Sequence, residues 1–248
     1  MSILEKLLAG SIGSAAGKTV KTVTLGVNYC AVQICDGHTG LSWTWEHHDC
    51  CGLDKERFTD REGMPAGELL KDLTGSSPSA RTMAMALLNA LNASRADKYP
   101  HDLDNGTVFG TLGLKEKSRL VMVGYFRPVV KLLQENGIDI YIADKGNDMG
   151  DEEELKALMT NWAQAAIISS TSIVNGTYDS LIKICGGRFP VAMLGPTTPL
   201  FPEIFKSDGV SILAGSVVED PEMIMKLIRQ GAGTPDFKHY TKKVYVKT

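Results

Sequence analysis

Imidazole, carboxylate and thiol groups crowd into one six-residue stretch, Glu46-His47-His48-Asp49-Cys50-Cys51. Nitrogen, oxygen and sulfur donors in that mixture suit a borderline-soft cation such as zinc, nickel or cobalt. Their spacing restricts the possibilities. Successive residues of a strand point to opposite faces, so His47 and His48 ligate together only if the chain turns there. His47 with Cys50, or His48 with Cys51, is better spaced for a loop chelate. No second C-x-x-C or H-x-x-x-H follows, so further ligands would have to come from elsewhere in the chain or from a second subunit. The competing reading is a polar strand end with small buried thiols. His47, His48, Cys50 and Cys51 are thus the candidate metal ligands, with Ni, Co or Zn as the candidate ion.

A second kind of chemistry lies in loops that follow short apolar runs. Leu120 to Val123 exits into Gly124-Tyr125-Phe126-Arg127-Pro128, and Ala165 to Ile168 into Ser169-Ser170-Thr171-Ser172-Ile173-Val174-Asn175-Gly176-Thr177. Val191 to Leu194 exits into Gly195-Pro196-Thr197-Thr198-Pro199, and Val210 to Ala214 into Gly215-Ser216. In an open parallel sheet such loops share one edge, where ligands bind. Hydroxyls and backbone amides at helix starts would suit a carboxylate or phosphate. Ser, Thr, Asn and Gly are also ordinary loop and capping residues; two such loops beside one crevice mark a place rather than name a ligand.

Several chemistries are missing from the pattern. A dinucleotide site wants G-x-G-x-x-G after its first strand; Gly124 stands alone there, so no NAD is expected, although Asp144 follows the second run. No P-loop, G-x-S-x-G elbow or H-E-x-x-H occurs. No nucleophile–base pair or acid pair is evident in the linear order. Arg81 and Asn89, two turns apart on one helical face, are expected to form a surface ion pair and a helix-packing hydrogen bond respectively.

The elements that must position these groups change rhythm along the chain. Ile3, Leu4, Leu7 and Leu8 repeat at helical spacing, predicting a helix from 2 to about 16 that ends near Gly17. Strands are expected around Val20–Val27, Ala31–Cys35 and Leu41–Trp45, with a hairpin at Asp36-Gly37. Ala66–Leu73 and Ala80–Ala93 are expected to be helices, the second preceded by a Ser-Pro start. Residues 94 to about 117 are expected to be a polar connection with short elements, and the domain boundary is expected there. Beyond it, apolar runs alternate with helices at 128–135, 151–163, 175–185, 199–205 and 221–230, which predicts a parallel sheet covered on both faces. The division is therefore an α+β unit over 1–105 and a Rossmann-like unit over 106–248, an α/β protein overall.

Bulk properties narrow the partners. With 248 residues and 43% hydrophobic content, the chain can bury a core without staples. A formal net charge of -3 offers no general attraction for nucleic acid or anionic membrane. No apolar run approaches the ~20 residues of a membrane span, and no signal peptide is evident. Five cysteines, an odd number, argue against a disulfide framework and for reduced thiols in the cytoplasm.

Four segments carry a family resemblance: Ser79-Ala80-Arg81-Thr82-Met83-Ala84-Met85-Ala86-Leu87-Leu88-Asn89-Ala90-Leu91, Val121-Met122-Val123-Gly124-Tyr125-Phe126, Thr171 to Thr177 and Leu194 to Leu200. Over nearly its whole length the chain resembles the family labelled "putative heavy-metal chelation", formerly a domain of unknown function. Members of that family pair an enolase N-terminal-like domain with a Rossmann-like domain. The resemblance implies a ligand site between the two domains and a homodimer. By position Asn175, Thr177, Gly195, Pro196 and Thr197 would line the site, with Tyr125 nearby; Thr171, Ser172 and Asn89 are further candidate ligand-binding residues. The Glu46–Cys51 cluster is not part of the resemblance. The expected ligand is a small anionic molecule or its metal complex. The alternatives are a metal-independent enzyme acting on a small carboxylate or adenosine-type ligand, and a non-catalytic binding or sensing module.

Overall fold

The computed structural model describes residues 1–45, 55–101 and 105–248. Helix α1 (Ile3–Ser11) starts at a capping box, in which Ser2 and Glu5 satisfy each other's backbone amides. A 3-10 turn follows, and the chain reverses at Gly17, where φ is +71°. Strands β1 (Val20–Leu25), β2 (Tyr29–Ile34) and β3 (Thr39–Trp43) form an antiparallel meander in that order. After a 3-10 turn at Lys55–Phe58 come α2 (Ala66–Lys71) and the long α3 (Pro78–Ala96). Ser77 caps α3 by accepting the Ala80 amide at 3.1 Å, with Pro78 in the first turn.

Helix α3 is buried without a break from Thr82 to Leu88, as suits a helix enclosed on all sides rather than an amphipathic surface one. Strand β3 lies directly on it. A Cβ on Gly40 would come within 2.2 Å of the Ala90 amide nitrogen and 2.3 Å of the Ala86 carbonyl oxygen, so only glycine permits this approach.

The second half begins with α4 (Gly106–Leu112) and continues as β4 (Arg119–Val123), α5 (Arg127–Glu135), β5 (Asp139–Ala143), α6 (Glu152–Asn161) and β6 (Ala165–Ser169). Next come α7 (Thr171–Val174), α8 (Tyr178–Cys185), β7 (Val191–Leu194), α9 (Pro202–Phe205), β8 (Val210–Val218), α10 (Pro221–Arg229), α11 (Thr234–Phe237) and β9 (Thr241–Lys247). The sheet order is β5-β4-β6-β7-β8-β9. Its first five strands are parallel, and β9 pairs antiparallel with β8. The order reverses between β4 and β6, the switch point at which open α/β sheets leave a crevice.

The halves share their packing. Helix α10 crosses to the face of the meander opposite α3, where Ile224, Met225, Ile228 and Phe237 bury Tyr29, Ala31 and Leu41. Phe237 stands edge-on to Tyr29 at 4.9 Å. The largest buried cluster runs from Ile3 to Val244 and includes α3 and one face of β6 and β7.

Two expectations change. The helix expected over 175–185 begins three residues later, as α8 at Tyr178, and Gly176, at φ +79°, separates it from the short α7. The connection 94–117 carries short elements as expected, the last turn of α3 and all of α4. Strand β9, absent from the sequence reading, makes the sheet mixed rather than wholly parallel. Lys242, Lys243 and Lys247 disguise it as a polar tail, although charge on an outermost strand is a common guard against unwanted pairing.

Candidate functional site

The segment leaving β6 is gripped from two sides. On one side stands Arg81 in the first turns of α3. Its guanidinium donates to the Val174 carbonyl at 3.2 Å and to the Gly75 carbonyl at 2.6 Å, and lies 4.9 Å from the centre of the Trp45 ring. Burial lowers the pKa of Arg81 from its ordinary value, yet an arginine stays charged throughout the physiological range. The expected surface ion pair is thus replaced by a half-buried cation that clamps a loop and stacks on an aromatic face.

On the other side two glycines admit close packing. A Cβ on Gly124 would lie 2.6 Å from Ser169 Cβ, and one on Gly195 would lie 2.9 Å from Ser170 Oγ. Both have positive φ, +96° and +125°, which side chains rarely adopt. The Phe126 ring is within 4.0 Å of both hypothetical atoms, so it lies over the crevice at the switch point. The Tyr125 amide donates to Asp144 Oδ2 at 2.6 Å, and Asp144 also receives the Asn147 amide. Tyr125 is exposed beside this crevice.

Between the two sides, hydroxyl groups are left over. Ser170 and Ser172 are buried, and neither Oγ has a hydrogen-bond partner among the described residues; the same holds for Arg81 Nε. Six buried side-chain atoms lack a hydrogen-bond partner among the described residues. Half of them fall on this one loop and its clamp. An unmade hydrogen bond on a buried polar group costs ~1–3 kcal/mol, so such a concentration calls for a ligand, an ion or water.

The remaining expected residues divide by role. Thr171 bonds Ser169 hydroxyl to hydroxyl at 2.9 Å and stays half-exposed. Asn175 Oδ1 accepts the Thr177 amide and hydroxyl at 3.1 and 2.8 Å, an Asx turn that shapes the break before α8. Gly195 and Pro196 are half-exposed. Thr197 is 1% exposed and its hydroxyl accepts the Trp43 amide at 2.8 Å. Asn89 donates to the carbonyls of Leu41 and Thr197 at 2.8 and 3.0 Å. Thr197 and Asn89 therefore seam β3 and α3 to the loop after β7. Beneath that seam, a cavity of about 10 Å³ is roughly the room one water needs.

The metal ligands expected at His47, His48, Cys50 and Cys51 lie outside the described residues, in the chain that follows Trp45. Among the described residues no group of three or more His, Cys, Asp or Glu could hold a metal ion. Cys30 is buried, and desolvation pushes its thiol far above the ordinary range, unlike the thiolate that a metal takes. The strand-end loop offers hydroxyls and a cation, which fit an anion better than a bare metal ion. Also among the described residues, no helix is long and apolar enough to cross a membrane.

Ser170 lies in the loop expected to bear the site but is not singled out by its sequence, and Arg81 is expected at the surface. The available signal for Arg81 was its place one turn into a helix too apolar to lie on the surface.

Comparison with known proteins adds the family. Residues 107–247 match the family described as "Putative heavy-metal chelation" (DUF364), and residues 9–92 match a second family with the same description. An uncharacterized protein of Methanocaldococcus jannaschii is 24% identical over 170 residues, which is 66% of this chain and 64% of that relative's length. A crystal structure of a DUF364 protein of unknown function from Pyrococcus horikoshii superposes with a TM-score of 0.79 at 20% identity, covering all of both chains. Another, from Desulfitobacterium hafniense, gives 0.76 at 17% identity over 98% of this chain and 99% of that one. At such identities the structural likeness is one of fold. With well over half of its residues matched, the chain belongs to the family described as "Putative heavy-metal chelation".

Proposed function

We propose that the chain binds a small anionic molecule, or the complex of such a molecule with a divalent transition metal, at the mouth formed by the loops after β6 and β7 and the start of α3. The observation that carries this reading is the trio of Ser170 Oγ, Ser172 Oγ and Arg81 Nε, on one loop and its clamp, without hydrogen-bond partners among the described residues. A carboxylate accepts from hydroxyls and from guanidinium, and charge-assisted bonds of this kind are the strong ones. Thr171, Gly195, Pro196 and Tyr125 form the accessible rim, and Asn175 and Thr177 shape it. Metal enters as cargo held by the anion, in keeping with the family's description. His47, His48, Cys50 and Cys51 follow Trp45 directly in sequence and are the residues proposed to hand the ion over or retain it. The protein is proposed to act in the cytoplasm as a homodimer.

Isothermal titration of metal-free protein tests the reading. The probes are Ni²⁺, Co²⁺ and Zn²⁺, each alone and with citrate, and citrate alone. Heat with the citrate complex that is lost in Arg81→Ala and weakened in Ser172→Ala supports it. Ser172→Ala removes an unsatisfied hydroxyl, so it should leave the fold intact. Silence for every probe overturns it.

A further inference from the structure

A different part of the fold brings together three groups that the linear sequence keeps apart. Ser94, in the last turn of α3, lies 2.9 Å through its Oγ from His38 Nε2. The other ring nitrogen, Nδ1, is 2.9 Å from Asp36 Oδ1. That oxygen also accepts the His38 amide at 3.1 Å, and Asp36 Oδ2 is 3.0 Å from Lys18 Nζ. Gly37, at φ +92° in the turn between β2 and β3, folds His38 back over the aspartate two residues before it.

We propose that Ser94, His38 and Asp36 form a nucleophilic relay that transfers acyl groups from small activated esters. Serine, base and orienting carboxylate stand in the order such chemistry requires, and a relay of this kind is recognised by geometry rather than by sequence order. Asp36 fixes the ring and leaves Nε2 facing the hydroxyl, whose proton it takes.

In the first step Ser94 Oγ bonds to the ester carbonyl carbon while its proton passes to His38 Nε2. The adduct collapses by breaking the carbon–oxygen bond to the alcohol, which leaves with that proton. Water then attacks the acyl-serine and its proton follows the same route. The carboxylic acid departs and the Ser94 hydroxyl is restored. The amide of Ser94 lies within α3, where helical bonding occupies it, so solvent carries the charge on the tetrahedral oxygen. That limits the substrates to esters with good leaving groups, such as aryl acetates. Asp36, which does not touch the substrate, is a positioning residue.

The experiment treats the full chain with p-nitrophenyl acetate and with a fluorophosphonate probe, and maps the adduct by peptide mass spectrometry. The expected result is modification at Ser94, loss of hydrolysis in Ser94→Ala, and labelling at least ~100-fold slower in His38→Gln. Asp36→Asn should slow acylation and displace its pH profile, which a merely structural tie would not do. All three positions are exposed or half-exposed, so melting curves of the variants should follow wild type. No adduct on Ser94, or equal labelling of Ser94 in wild type and His38→Gln, overturns the proposal.

Discussion

Replacing Asn89 by alanine tests the seam between the halves. Its amide nitrogen spends both hydrogens on carbonyls of two separate segments, Leu41 of β3 and Thr197 after β7, at 2.8 and 3.0 Å. Each such bond contributes ~1 kcal/mol net, and a carbonyl left dry costs up to ~3 kcal/mol. A water that entered the adjoining cavity would recover part of this, so the expected loss is ~2–4 kcal/mol. In a chain of this size each kcal/mol lowers the melting midpoint by ~2–4 °C, giving a fall of about 5–15 °C by calorimetry. Lys131→Ala, on an exposed helix face, is the control and should move stability by less than ~0.5 kcal/mol. Asn89→Asp should be worse than Asn89→Ala, because a carboxylate would face two carbonyl oxygens. A midpoint for Asn89→Ala within about 1 °C of wild type would refute the claim that this side chain holds the two halves together.

Further outcomes follow from local geometry and charge. Gly195→Ala should destabilise by ~1–3 kcal/mol through its positive φ and the contact with Ser170 Oγ; adding Ser170→Ala should recover only the contact part, as read by urea midpoints. Glu203 is held below its ordinary pKa of 4.5, first by the Arg95 side-chain hydrogen bonds at 2.7 Å. A depressed folded-state pKa gives stability that is present above the unfolded value and lost as pH falls through the folded one. Below pH 4.5 the melting midpoint of wild type should therefore fall more steeply than that of Glu203→Gln. The difference should be small because the pair is solvent-exposed, and parallel curves would count against the coupling.

Most of the fold was legible without coordinates because it rests on local pattern. Alternating apolar runs and helices predict the parallel strands β4 to β8, and Ser77-Pro78 predicts the start of α3, because periodicity and capping act over a few residues. Strand β9 was hidden because its partner and its lysines make sense only at a sheet edge. The sequence also determined which loops leave the strands, and so where hydroxyl and amide groups gather. It could not decide which of those groups would be consumed in holding the fold. Thr197 and Asn89 are bound to each other and to β3, whereas Ser170 Oγ and Ser172 Oγ have no hydrogen-bond partner among the described residues. Arg81 became a loop clamp rather than a surface ion pair because α3 is central. Ser94 and His38, 56 positions apart, met because Gly40 lets β3 lie on α3. Propensity and pattern are short-range and were written in the chain; pairing of side chains across segments depends on how helices and sheets dock, which only the tertiary structure decides.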